Sequence, residues 1–357
     1  MKRKYSFRRA RGKIVLGVIL GLFAYLVFGY SISGELRLER TLSMAAPEVA
    51  LEKVREAAAK EGKLVWYESS PEGQFVQVVA AFNKMYPSVK IEHVRVRGAD
   101  VATRIITESQ ANAPTADVGT TGVEILMGLD NRGLLMKPNW TELGIAKELI
   151  VAPYALAHTS SVICFSYNTE LVSETDAPKD WEDMLHPRWQ GKIGVWQKPV
   201  ALALMAPTWG EERTIEFTKK LAKQKPLIYR SNFPLNNAVA AGEISVGITL
   251  YHTILPALKK GAPIKLVFTS PTGYEHLCCA IPIKSAHPNA AKLFCTWLLS
   301  PEGAIAYESA TGRGTVLIKG TETYKLLSGK KLSYFTPEQV EDFGRISKEL
   351  EKILMGR

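Results

Sequence analysis

Hydroxyl-bearing residues follow two apolar stretches of the chain, at points where a ligand could be bound. Ser69 and Ser70 come directly after the apolar run 64–67, and Thr120 and Thr121 stand between two glycines after a second short apolar run. Hydroxyls and backbone N–H groups ahead of a helix suit an oxyanion, and glycines let a ligand approach the backbone closely. The same residue types are common helix caps and turn formers, so both interpretations stand at this point.

The chain lacks the sequence motifs of the common catalytic classes. It contains no GxSxG, HExxH, Walker or GxGxxG pattern, and its clustered polar groups are hydroxyls and aromatic rings without an evident base. This composition favours a binding protein over an enzyme and predicts no cofactor. The four cysteines show no CxxC pair or metal-type spacing, and we expect Cys164 and Cys295 to be core residues.

The amino-terminal segment predicts export. The 357-residue chain has a formal net charge of +10, and seven basic residues precede the first acidic one. Residues 14–30 then form an uncharged apolar run, which is either the core of a signal peptide or a membrane anchor. A basic flank stays in the cytoplasm, so the rest of the chain is expected outside it. Because the charge excess belongs to this segment, we expect no nucleic-acid partner.

Strands and helices alternate in the first third of the folded part. Apolar spacing predicts helices at 47–60, 74–86, 100–111 and 123–131, and strands at 64–67, 89–96 and 116–118. This order predicts a parallel sheet with helices on both faces. Ligands bind such sheets beyond the carboxyl ends of the strands, which is where both hydroxyl-rich turns lie.

A second series of elements follows a passage rich in proline and tryptophan. The predicted strands and extended segments are 162–167, 192–196, 245–250 and 263–283, and the predicted helices are 201–205, 211–222, 288–299 and 337–354. Trp196 ends one of these strands, where it either lines a ligand cleft or packs in the core. The chain is long enough for two hydrophobic cores, so two lobes are expected.

Seven segments, taken in this order, resemble the periplasmic solute-binding proteins of ferric-iron, thiamine and aminophosphonate importers. Together they cover most of residues 60–320. The segments are KLVWYESSPEG at 63–73, FNKMYPSVKIEHVRVRG at 82–98, ADVGTTGVEILMGLDNRGLL at 116–135, VICFSYNTELV at 162–172, PKDWEDMLHPRWQGKIGV at 178–195, AVAAGEISVGITL at 238–250 and IKSAHPNAAKLFCTWLLSPEG at 283–303.

The resemblance implies an α/β, two-lobed Venus-flytrap fold of type II. Each lobe would be a mixed, mostly parallel sheet flanked by helices, and crossing strands would join the lobes. The division we expect has a signal peptide or membrane anchor at 1–33, a linker at 34–46, lobe 1 at 47–155 plus 270–357, and lobe 2 at 156–269.

The resemblance also implies the substrate-binding component of an ABC importer. Such a protein captures a small ligand in the cleft between its lobes and delivers it to a permease in the cytoplasmic membrane. We expect a monomer in the periplasm or at the outer face of the membrane, with residues 14–30 as its anchor if they are not cleaved. A membrane-tethered sensory protein of the same fold is an alternative.

Further site residues follow from the resemblance. Ser160 and Ser161 lie where relatives bind an anion at the crossover, and Tyr274 lies where the chain returns to the first lobe. Tyr251 and His252 fall where iron-binding relatives have two adjacent tyrosines, which suit ferric ion as anionic oxygen ligands.

Ferric binding would need more ligands than this chain supplies at the matching positions. The family's carboxylate ligand aligns with Gly122, and we expect the nearby Glu124 to point along its helix. We therefore predict no metal and a small organic or phosphorylated anion as ligand. Ferric iron, with Tyr251 and His252 as ligands, is the alternative. The ligand-binding residues expected from the sequence are Ser69, Ser70, Thr120, Thr121, Ser160, Ser161, Trp196, Tyr251, His252 and Tyr274.

Overall fold

The computed structural model of the protein describes residues 47–356. The predicted signal peptide or anchor at 1–33 and the predicted linker at 34–46 lie outside the described residues. Between residues 47 and 356, the structure has no helix long and apolar enough to cross a membrane.

Helices and strands alternate through most of the described chain. The strands are β1 Lys63–Glu68, β2 Lys90–Arg95, β3 Val118–Gly122, β4 Ile150–Ala152, β5 Ala155–Asn168, β6 Ile193–Trp196, β7 Leu227–Tyr229, β8 Val246–Leu250, β9 Ile264–Val267, β10 Thr272–Ala280 and β11 Leu332–Ser333. The α-helices are α1 at 47–61, α2 Glu72–Met85, α3 Asp100–Gln110, α4 Val123–Asp130, α5 Val200–Ala203, α6 Ala206–Trp209, α7 Glu211–Lys223, α8 Asn232–Ala240, α9 Tyr251–Lys259, α10 Pro288–Leu298, α11 Pro301–Thr311, α12 Glu322–Leu327 and α13 Val340–Leu354. Short 3₁₀ helices cover Trp140–Leu143, Lys147–Leu149, Glu182–Leu185, Pro187–Trp189 and Pro337–Gln339.

The first sheet is built on β1, as the alternating pattern predicts. Strand β1 pairs in parallel with β2 on one side and β3 on the other, and β10 then pairs antiparallel with β3. Side chains of β1 alternate between the two faces. Leu64 and Trp66 enter a core with helices α2 and α10, while Tyr67 enters a core with α3 and α4. The carboxyl ends of β1 and β3 therefore meet at one edge of this sheet.

Strand β5 is the connection between the two halves of the molecule. Its first part, from Leu156 to Val162, pairs with β10 of the first sheet. Its second part, from Ile163 onward, pairs with β8 and β9 of a second sheet. All fourteen residues of β5 are buried, because sheets and helices cover it along its whole length. This is the crossing strand that the resemblance implied.

The second sheet has the order β7-β6-β8-β5, with β9 pairing on the other edge of β5. Strands β6, β7 and β8 are parallel, and each leads into a helix at its carboxyl end. Hydrophobic clusters cover both faces, with Phe165 and Trp181 in one and Leu235 and Ile254 in the other. Strand β5 runs antiparallel to β8, so the carboxyl ends of β6 and β8 point back toward the first sheet.

Helix α13 contacts both halves. Val340, at its first turn, belongs to the core of α3 and α4, whereas Ile346, Leu350 and Leu354 belong to the core of the second sheet. The predicted division assigned the whole of 270–357 to lobe 1. The packing of α13 leads us to propose that its last three turns belong with lobe 2, and the remaining boundaries stay as predicted.

Two local differences from the predicted elements concern the site. Thr120 and Thr121 lie inside β3, because this strand extends through both glycines that had indicated a loop.

Helices α9 and α11 were not predicted. Pro256 interrupts the helical pattern of α9 internally. Helix α11 carries a start signal, since Ser300 accepts a hydrogen bond from the backbone N–H of Gly303 and a proline follows at the first helical position.

Replacement of Gly303 in α11 by alanine is expected to destabilise the protein. A Cβ at this position would lie 1.9 Å from the backbone oxygen of Trp297 and 2.6 Å from its carbonyl carbon. Since neither atom belongs to a flexible side chain, Gly303→Ala should lower the free energy of unfolding by about 2 kcal/mol or more, as measured by urea denaturation.

The matched control is Gly128→Ala in α4, where a Cβ meets nothing within 4 Å. There the higher helix propensity of alanine should raise the free energy of unfolding by up to about 1 kcal/mol. Equal effects of the two substitutions would show that the close approach of α11 to Trp297 is not a constraint.

A candidate ligand-binding cleft

A buried carboxylate stands at the end of β1, directly before the predicted ligand loop. The Glu68 side chain is 1% exposed. Its carboxylate accepts hydrogen bonds from the backbone N–H of Ser70 (2.6 Å), from the Ser70 hydroxyl (3.1 Å) and from the Tyr307 hydroxyl (2.9 Å). Tyr307 comes from α11, which packs on α2 and so reaches the first loop. Glu68 therefore joins the loop after β1 to a helix more than two hundred residues later.

The cation of this network is Arg313, which the sequence did not single out. Its Nη1 lies 3.5 Å from Oε1 of Glu68 and donates to the Ser69 hydroxyl at 3.0 Å. The Arg313 side chain is 21% exposed, so part of its guanidinium remains open to a ligand. Bonds from Ser69 and Glu68 hold the guanidinium in one orientation, which reduces the entropy it would lose on binding an anion.

Two glycines place Arg313. Gly312 ends α11 with a φ of +74°, a conformation that other residues rarely adopt. A Cβ on Gly314 would lie 1.9 Å from the Glu308 carboxylate, so this position also excludes a side chain. The backbone carbonyl of Gly314 then accepts a hydrogen bond from the N–H of Ser160 on the crossing strand, at 2.8 Å. The Arg313 loop is thus attached to β5.

The environment of Glu68 keeps it ionised. Burial alone would raise its pKa, but the His93 ring, whose Nε2 lies 3.8 Å from Oε2 of Glu68, the charge of Arg313 and the bonds from Ser70 together lower the pKa to about 2. The His93 ring stacks on Phe75 with centroids 3.9 Å apart, so its position behind the carboxylate is fixed. Glu68 and Arg313 form a charged pair in which only the cation reaches solvent.

His158 lies beside this pair with both ring nitrogens unsatisfied. The β5–β10 pairing shifts here: Thr159 is opposite Leu277 and Ala157 is opposite Cys278, so His158 is the extra residue of a bulge. Its ring meets Tyr307 edge-on at 5.0 Å, it is 1% exposed, and neither nitrogen has a hydrogen-bond partner in the described part of the chain. Burial lowers the pKa of His158 to about 4, so the ring is neutral at physiological pH.

Most of the predicted hydroxyl ligands are used inside the protein. The Ser70 hydroxyl donates to Glu68, and Thr120 accepts a hydrogen bond from the Trp66 indole at 2.9 Å. Thr121 donates to the carbonyl of Gly98, and the Ser160 hydroxyl accepts from the N–H of Val316. These hydroxyls hold the loops together, and their contact with a ligand stays a prediction. Ser69 is different, because its hydroxyl contacts the partly exposed guanidinium of Arg313.

Trp196 does line a cavity, at the carboxyl ends of β6 and β8. The cavity has a volume of about 20 Å³, and its polar lining includes Lys198, Asn232 and Thr249. Asn232 is the first residue of α8 and accepts a hydrogen bond from the Thr249 hydroxyl at 3.3 Å. The Trp196 indole donates to the carbonyl of Arg230, which fixes the ring as one wall.

The aromatic candidates lie near the junction of the two halves. Tyr251 packs edge-on against Phe268 with centroids 5.5 Å apart, in a cluster that also contains Tyr274. Burial and the charge of Glu308 raise the pKa of Tyr251, which opposes formation of a phenolate. His252 follows at the start of α9, and burial together with the charge of Arg313 lowers its pKa well below the usual value. Tyr274 is buried, with its hydroxyl 3.3 Å from Nε2 of His276.

Glu124 does not point along its helix as expected. Its two carboxylate oxygens lie 2.3 and 2.5 Å from where a Cβ on Gly122 would stand. The side chain therefore folds back over the start of α4, where the backbone N–H groups and the helix dipole favour a carboxylate. Burial raises the pKa of Glu124. The carboxylate of Glu124 thus lies beside Gly122, the position with which the family's carboxylate ligand aligns.

Ser161 faces the other carboxylate that sequence reasoning missed. It is directly opposite Glu275 in the β5–β10 ladder, so the two side chains share one face of the sheet.

Glu275 could not be singled out from the sequence, because it lies in an extended segment with no motif. Two features of the sequence could have pointed to the other residues of the network. Glu68 is the first charged residue after an apolar strand, and Arg313 stands between two glycines.

Among the described residues, no group of three or more histidine, cysteine, aspartate or glutamate side chains is arranged to hold a metal ion. The cleft instead combines one oriented guanidinium, a lysine, hydroxyls and carboxylates. Such a surface can bind a polar organic molecule by hydrogen bonds and ion pairs.

A family model for bacterial extracellular solute-binding proteins matches residues 77–319. The chain belongs to this family. The match confirms the predicted solute-binding role, and no curated protein matches the chain. Since the family consists of binding proteins, the assignment also supports the expectation of a non-catalytic role.

Solved structures confirm the two-lobed fold of periplasmic binding proteins. Iron-bound HitA from Pseudomonas aeruginosa matches with a TM-score of 0.68 and 20% identity, over 82% of this chain and 99% of HitA. The periplasmic binding protein AfuA from Actinobacillus pleuropneumoniae, with fructose-6-phosphate bound, matches with a TM-score of 0.63 and 24% identity, over 83% and 97%. A ferric binding protein from Campylobacter jejuni matches with a TM-score of 0.65 and 18% identity, over 81% and 99%.

Replacement of Glu68 by glutamine tests the buried network. The pKa of Glu68 is lowered from 4.5 to about 2 in the folded protein, so the carboxylate stabilises the fold above pH 4.5 and loses this contribution as the pH falls through 2. Glu68→Gln should lower the free energy of unfolding at pH 7 by about 3 kcal/mol, measured in urea. The difference from wild type should shrink between pH 4.5 and pH 2.

The control is Glu216→Gln, which removes an exposed carboxylate paired with Lys220 on α7. This change should alter the free energy of unfolding by less than about 1 kcal/mol. If the two variants lose the same stability at pH 7, the Glu68 network does not hold the first loop in place.

Proposed function

We propose that this protein captures a small organic or phosphorylated anion in the cleft between its two sheets and delivers it to an ABC permease. The observation that carries the proposal is the geometry of Arg313. Its guanidinium is partly exposed, is oriented by Ser69 and is balanced from behind by the buried Glu68. An arginine held in this way can bind a carboxylate or phosphate with paired hydrogen bonds.

The facing half supplies matching groups. Lys198, Asn232 and Thr249 line the cavity at the carboxyl ends of β6 and β8, which point toward the first sheet. Lys198 adds a second positive charge, and the start of α8 directs backbone N–H groups toward the same region. Closure of the two lobes on a ligand would bring these groups to it from both sides.

The wider role follows the family. A bacterial extracellular solute-binding protein acts outside the cytoplasm, so we infer that residues 14–30 direct export and either are removed or anchor the protein at the outer face of the membrane. We infer a non-catalytic monomer whose closed form is recognised by the permease. A sensory partner in place of a permease is the alternative, which co-purification of the membrane partner would distinguish.

Ferric iron is the second candidate ligand, because three structural neighbours are described as iron-bound or ferric binding proteins. Two observations weigh against it. The raised pKa of Tyr251 disfavours the phenolate that would bind the metal, and Tyr251 is packed against Phe268. AfuA, another neighbour, holds fructose-6-phosphate, which has the phosphorylated-anion chemistry proposed for this chain.

Thermal unfolding of the purified full chain against a ligand series tests the proposed function. The series contains phosphate, sugar phosphates, phosphonates, small carboxylates, thiamine and ferric citrate. A ligand at one hundred times its Kd should add about 2.7 kcal/mol to the free energy of unfolding. We expect such a shift with an organic anion, and we expect Arg313→Gln to weaken that anion's binding by roughly a hundredfold.

Arg188→Gln serves as the matched control, since Arg188 is exposed and paired with Asp176 far from the cleft residues. It should leave the Kd unchanged. An anion that binds equally well to the Arg313 variant would remove the observation on which the proposed function rests.

Ferric iron gives a separate test with a spectroscopic signal. Iron bound by tyrosinate produces a visible charge-transfer band. We expect no such band when the protein is titrated with ferric citrate, because burial and Glu308 raise the pKa of Tyr251. A band that appears in wild type and is lost in Tyr251→Phe would establish iron as the ligand and overturn the anion proposal.

A further inference from the structure

A second cavity lies where the first half, the strand β10 and the carboxyl-terminal helix meet. Its volume is about 30 Å³, which is room for a group the size of an ammonium rather than for a whole ligand. Two carboxylates and one imidazole share its lining with apolar side chains. The lining residues are Val123, Glu124, Leu204, Glu275, His276, Phe335, Val340 and Phe343.

The two carboxylates in this cavity have no positive partner. Among residues 47–356, neither Glu124 nor Glu275 has a lysine, arginine or histidine nitrogen within 4 Å. Buried carboxylates are normally paired, because an isolated charge away from water is costly. Here Glu124 and Glu275, both partly buried, line one cavity, and the charge of Glu124 also raises the pKa of Glu275. A bound cation would relieve both effects.

A third acceptor in the same cavity points independently to a ligand. Nδ1 of His276 is buried and has no hydrogen-bond partner among residues 47–356, while Nε2 lies 3.3 Å from the Tyr274 hydroxyl. Burial lowers the pKa of His276 to about 4, so the ring is neutral and one nitrogen is a free acceptor when the other donates to Tyr274. Edge-on contacts of the ring with Tyr274 and Tyr334 fix its orientation.

The chemistry of the cavity matches a primary ammonium group. Such a group has three N–H donors and a positive charge, and the cavity offers two carboxylates and one imidazole nitrogen. Phe335 and Phe343, with ring centroids 5.3 Å apart, add aromatic side chains to the same lining. We propose that Glu124, Glu275 and His276 form an ammonium-binding subsite, and that the ligand of this protein is a zwitterion.

This inference rests on the proposed function, since it adds a cationic end to the anionic ligand. Glu275 links the two parts of the site. It lies opposite Ser161, and the N–H of the preceding Ser160 donates to the carbonyl of Gly314 beside Arg313, so the Arg313 loop adjoins the ammonium subsite along β5. A short ω-amino acid, amino sulfonate or amino phosphate could place its anion at Arg313 and Lys198 and its ammonium group between Glu124 and Glu275.

Matched pairs of ligands test the subsite on the full chain. The pairs are 2-aminoethyl phosphate with ethyl phosphate, 2-aminoethanesulfonate with ethanesulfonate, and 3-aminopropanoate with propanoate, each titrated by calorimetry at pH 7. The amino member of at least one pair should bind roughly tenfold more tightly or better. Glu275→Gln should reduce this advantage to less than about threefold, and Glu124→Gln should reduce it in part. Glu216→Gln, on the far α7 surface, should not change it.

The outcomes separate this inference from the proposed function. Equal binding of the two members of every pair, still weakened by Arg313→Gln, would overturn the ammonium subsite and leave the anion site in place. Failure of all six compounds to bind would count against the zwitterion. Propylammonium chloride then tests the ammonium subsite without the anion site. If it raises the free energy of unfolding of wild type but not of Glu275→Gln, the subsite is supported. If it raises neither, the subsite is contradicted.

Proton release gives a second readout that a purely structural Glu275 would not produce. Burial and the charge of Glu124 raise the pKa of Glu275 to about 8, although Arg313, Ser161 and Lys198 act in the opposite direction. The free protein therefore holds a proton on Glu275 at pH 7, and an ammonium group bound beside it should expel that proton. Calorimetry in buffers of different ionisation enthalpy should show release of about one proton per ligand bound at pH 7. Glu275→Gln should abolish the release, and its persistence would contradict the assignment.

Discussion

The buried pair of Glu68 and Arg313 is the interaction on which the candidate cleft depends. Glu68 fixes the loop after β1, reaches α11 through Tyr307 and balances the charge of a guanidinium that remains partly exposed. A buried carboxylate of this kind stabilises the fold only while its partners remain in place. The same bonds that hold the first loop therefore also hold the cation that we propose to contact the ligand.

Strand β5 explains why one network can serve both halves of the molecule. Its first part belongs to one sheet and its second part to the other, and the Arg313 loop is bonded to it at Ser160. The bulge at His158 and the pairing of Ser161 with Glu275 lie on the same few residues. Any movement of the halves about this strand would change the distance between Arg313 on one side and Lys198 on the other.

The charges of the cleft are mixed in a way that constrains the ligand. Arg313 and Lys198 favour an anion, whereas Glu124 and Glu275 are carboxylates without a positive partner within ion-pair distance among the described residues. Most of the hydroxyls that first suggested an oxyanion site are hydrogen-bonded inside the protein. This arrangement favours recognition of the ligand by its charges over recognition by serine and threonine hydroxyls alone. Trp196 and the phenylalanines of the second cavity would set the shape of the space that the ligand fills.

The sequence by itself determined most elements of the fold and the sheet edge at which we propose that a ligand binds. The alternation of apolar segments from 47 to 131 predicted β1, β2, β3 and their helices, because hydrophobic period depends on residues that are near one another in the chain. Only the tertiary structure decided which side chains face the cleft. Thr120 and Thr121 lie inside β3, where they bond to Trp66 and Gly98, and Glu124 folded back over Gly122. Arg313 reaches Glu68 across 244 intervening residues, and no local pattern encodes a contact of that separation.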